Sequence, residues 1–152
     1  MPTMRAVVQR VKQASVTVDD TVRASIAGGL LVYLGVSRDD GDADVAYLVD
    51  KLRNLRIFPD EADRMNRDVA QAGGEILVVS AFTVAADARH GRRPTFDSAA
   101  RPEQARALYE SLCEALAEDG VAVLRGSFGD YMQVQAVNDG PVCILLDSRR
   151  LF

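Results

Sequence analysis

Among the side chains of this sequence that could attack a carbonyl are the hydroxyls of Ser80 and Thr83 and the thiol of Cys143. A hydroxyl needs an adjacent base to become a nucleophile. The chain has a single histidine, His90, set among arginines in Arg89-His90-Gly91-Arg92-Arg93, which is a poor start on a Ser-His-Asp triad. Cys143 has no paired histidine either and reads as a buried strand thiol. No His, Asp or Glu constellation has metal-ligand spacing. The acidic run Asp60–Arg64 lacks the regular ligand positions of a calcium loop and reads as solvated. Any hydrolysis here would rest on orientation and on donors aimed at a developing oxyanion.

Two further stretches are chemically distinctive. The Arg89–Arg93 cluster is the only strong basic feature of a chain whose 22 acidic residues exceed its 18 Lys and Arg, for a formal charge of −4. Such a loop suits phosphate contacts that position RNA without reading its sequence; plain solvated surface is the competing reading. The second is Val137-Asn138-Asp139-Gly140-Pro141-Val142, between two strand-like runs, Met132–Val137 and Val142–Leu146. Asn-Asp-Gly turns a chain at little cost, and Gly140–Pro141 is one of the few bonds that could be cis without a prohibitive penalty. Residue physics alone predicts a hairpin turn there.

The elements that must position these groups follow from periodicity. Met4–Val11 and Ala14–Val18 alternate, as one long bent strand or as two strands meeting at Lys12-Gln13. Arg5, Arg10 and Lys12 would lie on a solvated sheet surface. Thr21–Ile26 is a weaker strand, and Leu30–Val36 reads as a central one. The Gly28-Gly29 pair before it lacks phosphate-loop spacing. A helix is predicted over about 43–55, buried through Val45, Leu48, Val49, Leu52 and Leu55 and capped by Asp42 or Asp44. Arg56–Phe58 is a short strand stopped by Pro59, and Glu75–Ser80 is an apolar strand. A second helix spans roughly 102–118, with Pro102 in its first turn, Gly120 at its exit and a stripe of Ala105, Leu108, Leu112 and Leu116. Cys113 sits beside that stripe as a small hydrophobe. Val121–Arg125 is again strand-like. At 152 residues, without repeats or linkers, the chain reads as one α+β domain over residues 1–152. Two distant cysteines and the lack of a signal or membrane-length segment place it in the reduced cytoplasm, with no membrane partner.

Taken together and in order, Arg5–Val18, Gly29–Val36, Arg56-Ile57-Phe58, Gly73–Val79, Ser80–Asp87, Arg93-Pro94-Thr95-Phe96, Met132-Gln133-Val134 and Asn138–Val142 resemble the D-aminoacyl-tRNA deacylase family, also called D-tyrosyl-tRNA deacylase, nearly end to end. The resemblance implies a compact domain with an extensive, partly barrel-like antiparallel sheet and two main helices. It implies a cofactor-free cytosolic homodimer with active sites at the subunit interface. The reaction implied is hydrolysis of the ester joining a D-amino acid, or glycine, to the terminal adenosine of tRNA, with L-aminoacyl-tRNA excluded. Ser80, Phe82 and Thr83 fall in the family's active-site signature. Gly140 and Pro141 match its chiral-selection motif, in which a cis Gly-Pro pair enters the partner's pocket. Catalysis is then expected to use backbone groups and the tRNA's own 2′-hydroxyl, with Thr83 in a positioning role and Arg89, Arg92 and Arg93 as tRNA contacts. Two positions depart from the pattern: Ala81 stands where the family usually has Gln, and Cys143 where it usually has Thr.

Overall fold

The computed structural model describes residues 3–152. Its organising element is β1, Arg5–Val18, a single bent strand with partners on both edges. On one edge, residues 5–11 pair antiparallel with β3 (Gly29–Gly35). Beyond the bend, residues 14–18 pair with β2 (Thr21–Ile26). The other edge is taken along its whole length by β8 (Gln133–Asp147). Antiparallel pairing therefore builds the sheet around β1. Two parallel pairs extend it: β3 with β6 (Glu75–Ser80), and β6 with β7 (Val123–Arg125). Parallel neighbours need long crossovers, and each of these crossovers carries a helix: α1 (Asp42–Asn54) lies between β3 and β6, and α2 (Pro102–Ala117) between β6 and β7. Because β2 comes back against β6 and β7, the sheet curls into a partial barrel.

The two faces of this sheet hold two cores. On one, Ala6, Val8, Leu30, Val32, Ile76 and Val78 meet both helices, which contribute Val45, Leu48 and Leu52 from α1 and Tyr109, Leu112 and Leu116 from α2. Truncating any of the fully buried leucines to Ala would cost about 2–5 kcal/mol. The α2 stripe is rotated from the expected one. Tyr109 and Cys113 are buried, while Ala105 and Leu108 are only partly so, because the Tyr109 hydroxyl reaches in to donate to the Val78 carbonyl at 2.9 Å. Burial pushes the Cys113 thiol up to about 11, so it is packing and not a reactive group. The second core, inside the curl, joins Val11, Val16, Ile26, Leu31, Leu77 and Val79.

Several local expectations change. Residues 138–141 do not form a hairpin. The segments on either side, Gln133–Asn138 and Cys143–Asp147, both pair with β1 in the same direction, so Asp139–Val142 bulges out of one continuous strand. At α1 the N-cap is Gly41, not Asp42; Asp44 serves from the third position, its Oδ2 accepting the Gly41 N–H at 2.9 Å. Pro59 belongs to a two-residue strand, β4 (Phe58–Pro59), that pairs with an unanticipated β5 (Met65–Arg67) across the acidic turn. Cys143 is exposed, because β8 is the outermost strand beside β1 and turns this residue away from the core. Among the described residues, no helix is long and apolar enough to cross a membrane.

One buried group is poorly satisfied. Asp40, before α1, is 7% exposed; its Oδ2 accepts the Ser37 N–H at 2.6 Å, while Oδ1 has no partner among the described residues. Burial raises its pKa to about 6, reinforced by Asp44 and Asp39 and opposed by the Ser37 hydrogen bond and Arg149. The folded value exceeds the unfolded one. The stability contributed by the neutral acid is thus present below about pH 4 and lost as pH rises through about 6. Asp40→Asn should therefore stabilise the protein by roughly 1–3 kcal/mol at pH 7.5, a rise of several degrees in Tm, and should flatten the pH dependence between about 4 and 6. Thermal melts of both proteins across this range check it; a variant less stable than wild type at pH 7.5 would contradict it.

Candidate active site

The expected pocket residues lie where β6 ends. Glu75–Ser80 is apolar and buried through Ile76–Val79, and Ser80 pairs with Leu34 at its last position. Ala81 then leaves the strand, its N–H still donating to the Leu34 carbonyl at 2.9 Å, and Phe82–Ala85 closes into one 3-10 turn. The turn lies against β3 at Gly35, where a Cβ would come within 2.8 Å of the Val84 Cβ and 3.1 Å of the Ala85 nitrogen. Glycine there permits the close approach that fixes Phe82 and Thr83 over the sheet. Ala81 does its work through the backbone, so the missing glutamine side chain leaves the turn itself intact.

Phe82 and Thr83 are exposed and face an apolar cavity of about 670 Å³. Ser80, Tyr33 and Val79 line it from the sheet, Phe96 and α2 from one side, and Phe128–Met132 from the other. Phe82 and Phe96 meet edge to face with centroids 5.1 Å apart. The size and apolar lining suit a small organic group held by a few polar contacts. A separate cavity of about 380 Å³, between Thr3, Arg5 and Ser37 and the Asp87–Arg89 segment, contains none of these hydroxyls.

No nucleophile–base pair is assembled. Among the described residues, neither the Ser80 nor the Thr83 hydroxyl is hydrogen-bonded to a histidine or carboxylate, and no three His, Cys, Asp or Glu side chains cluster as metal ligands. His90 is exposed at the tip of a loop closed by reciprocal Asp87–Thr95 backbone bonds of 2.9 Å. Within that loop the arginines differ. Arg89 is committed to Asp87 through Nε and Nη2 at 2.9 and 2.8 Å, and these bonds hold the Asp87 carboxyl well below its ordinary range. Among the described residues, Arg92 and Arg93 make no ion pair.

The Gly140–Pro141 peptide is cis, and both residues are exposed. Neither lines the pocket of its own chain. The bulge that carries them is tied at its base. Asn138 behaves as a miniature strand: its Oδ1 accepts the Val142 N–H at 2.8 Å and its Nδ2 donates to the Val142 carbonyl at 3.0 Å. Arg10, expected on a solvated face, is 12% exposed and donates through Nε to the Asp139 carbonyl at 3.0 Å and through Nη1 to the Ile57 carbonyl at 2.6 Å. Gly140 has φ +152°, and a Cβ there would sit 2.6 Å from Val142 Cγ2. The turn-forming character of Asn138 is legible from its residue type, but nothing in the chain signals this clasp, nor Tyr33, Phe128 and Tyr131 as pocket walls. Arg10 and Tyr33 carry no motif and are joined to the site only by strand register.

An apolar pocket edged by hydroxyls and by a tight turn suits the binding of a small organic group, and comparison with known proteins supplies the class of enzyme, an ester hydrolase acting on aminoacylated tRNA. The family model described as D-Tyr-tRNA(Tyr) deacylase matches residues 7–147. The D-aminoacyl-tRNA deacylase of Anaeromyxobacter dehalogenans (strain 2CP-C) is 59% identical over 149 residues, covering 98% of this chain and all of that one. The enzyme of the same name from Clostridioides difficile (strain 630) is 54% identical with the same coverage. A solved structure titled c-Myc DNA Unwinding Element Binding Protein superposes with TM-score 0.89 at 41% identity, over 93% of this chain and 97% of that one. The chain belongs to the D-aminoacyl-tRNA deacylase family, and its activity is hydrolysis of the ester of D-aminoacyl-tRNA.

Proposed function

We propose that the protein works as a homodimeric chiral filter, releasing D-amino acids and glycine from tRNA and sparing L-aminoacyl-tRNA. The observation that carries this reading is the Gly140-Pro141 corner: exposed, clamped at its base, and absent from the pocket of its own chain. A structure built so rigidly and pointed outward suits insertion into a partner's site. The sheet face beside it supports a second copy, since Val7 pairs with Tyr33 on one side and with Leu145 on the other, and Leu145 is 52% exposed. In such a dimer the corner would wall the pocket with backbone. Backbone rejects an L side chain whatever its chemistry, and an α-hydrogen in that position, as in a D-residue or glycine, passes.

The chemistry asks little of side chains. Water adds to the ester carbonyl, the ribose oxygen leaves with a proton, and amino acid and tRNA are released. The opening amides of the Phe82–Ala85 turn lack intrahelical acceptors and suit the developing oxyanion. The tRNA's 2′-hydroxyl is the nearest group to exchange protons with the leaving oxygen. Thr83 and Ser80 then position the ester. Arg92 and Arg93, free of carboxylates, are assigned to the tRNA backbone, with Arg89 braced by Asp87. The setting we assign is the cytoplasm, in keeping with two free cysteines.

The experiment is deacylation of matched D-, L- and glycyl-tRNA by purified protein over a salt series, for wild type and an Arg92→Ala, Arg93→Ala double variant. We expect release of the D- and glycyl esters with the L-ester left intact. We also expect the double variant to lose affinity with a log–log salt slope shallower by about 1–2. Equal rates on D- and L-esters would end the chiral reading, and an unchanged slope would return the loop to ordinary surface.

A further inference from the structure

The geometry points to a stacking subsite on the pocket rim, formed by Tyr131, for the unpaired nucleotide that precedes the terminal adenosine. It rests on reading the pocket as the aminoacyl-ester site. Tyr131 is 90% exposed yet lines the cavity. A ring so exposed contributes almost nothing to the cores. It is nonetheless held on a firmly built turn: the Gly126 N–H donates to the Val78 carbonyl at 2.9 Å, the Asp130 N–H to the Ser127 carbonyl at 3.2 Å, and the Ser127 N–H to Met132 Sδ at 3.3 Å. The Ser127 hydroxyl closes the turn on the Asp130 carboxylate. The platform is therefore pre-set, and little ordering is needed when a base arrives.

Position selects the occupant. The ester must lie against Phe82 and Thr83, so the nucleoside extends toward the facing wall, Phe128 to Met132, and the strand leaves over its rim. The rings on the two sides differ. Phe82 and Phe96 already pack on each other, and Phe128 is covered by Tyr109 at 5.6 Å and by the Arg106 guanidinium at 4.7 Å. Tyr131, 90% exposed against 59% for Phe82 and 36% for Phe96, presents the most open face. Arg106 brings positive charge behind this wall for a phosphate, while Asp130 on the turn repels one, so the rim takes a base by its π face. Aromatic stacking beside a cation is how single strands are held without regard to sequence. That suits an enzyme that must accept many tRNAs.

The test uses two non-hydrolysable, amide-linked inhibitors of D-aminoacyl-tRNA deacylation: a D-aminoacyl-3′-amino-adenosine, and the same compound extended by the preceding cytidine. Wild type should bind the dinucleotide more tightly than the mononucleoside by roughly 5- to 150-fold, the range of one base–aromatic stack. Tyr131→Ala should abolish that gain, weakening the dinucleotide far more than the mononucleoside, with an unchanged melting curve reporting an intact fold; Tyr131→Phe should keep the gain. Equal affinities in wild type, or a gain that survives Tyr131→Ala, would overturn the subsite while leaving the pocket's assignment in place. A wild-type protein that bound neither inhibitor would overturn both.

Discussion

Gly140→Ala is expected to lower kcat/KM for D-aminoacyl-tRNA about 100-fold while the protein stays folded. The added Cβ would lie 2.6 Å from Val142 Cγ2 and 2.7 Å from the Val142 nitrogen, at a φ of +152° that L side chains rarely adopt. Something must move. Val142 is 6% exposed and packs in the main core, and its backbone is held on both sides by the Asn138 side chain. The exposed end of the bulge is the softer party, so the corner shifts and the core stays. Backbone strain of this kind costs on the order of 1–3 kcal/mol, tolerable for a domain with two cores. A displacement of about 1 Å at a group that orients substrate can cost about 100-fold in rate. Discrimination between D- and L-esters should shrink with the rate, because the wall that imposes it has moved. Steady-state kinetics on both esters, with a melting curve as control, decides the matter; unchanged kinetics would remove the corner from the site.

Thr83→Ala should cost much less, about 10- to 100-fold, and leave hydrolysis readily measurable. The magnitude separates two mechanisms. Where a hydroxyl is the covalent nucleophile, its removal costs on the order of 10⁶-fold. Among the described residues no base is hydrogen-bonded to Thr83, so its hydroxyl is suited to hold the substrate and is not activated to attack. Cys143→Ala should leave more activity still, because this thiol is exposed on β8 and lies outside the pocket. Rapid quench with mass spectrometry provides the counter-test: an acyl adduct on Thr83 would reassign it as the nucleophile.

Much of this architecture was legible in the sequence. The helices, β3 and β6 announce themselves because an apolar stripe or run has only one comfortable way to be buried. The stretch Ser80–Thr83 was legible as a motif because it is contiguous. The misreadings share a cause. Asn-Asp-Gly-Pro is good turn chemistry, but a local signal cannot distinguish a chain reversal from a bulge. Pairing of both flanks with β1 decides that, at separations above a hundred residues. Cys143 was expected inside for the same reason, since burial on β8 depends on which strands flank it. Arg10 looked like surface because its acceptors, Ile57 and Asp139, lie far along the chain. The walls of the pocket come from four separate segments, and no spacing rule links Tyr33 to Phe128 or Tyr131.

The central claim, that a corner from one chain completes the pocket of the other, is met most directly by a mixed dimer. One chain carries Thr83→Ala with its corner intact, the other Gly140→Ala with its pocket intact, and both parent homodimers are measured beside it. If the sites are shared, both lesions fall in one site and the second is rebuilt entirely from wild-type parts. Activity should then recover to about half that of the wild-type dimer, one of its two symmetric sites. No recovery above the parents, in a mixed dimer verified to assemble and to bind tRNA, would mean that each chain keeps its own corner and would contradict the account.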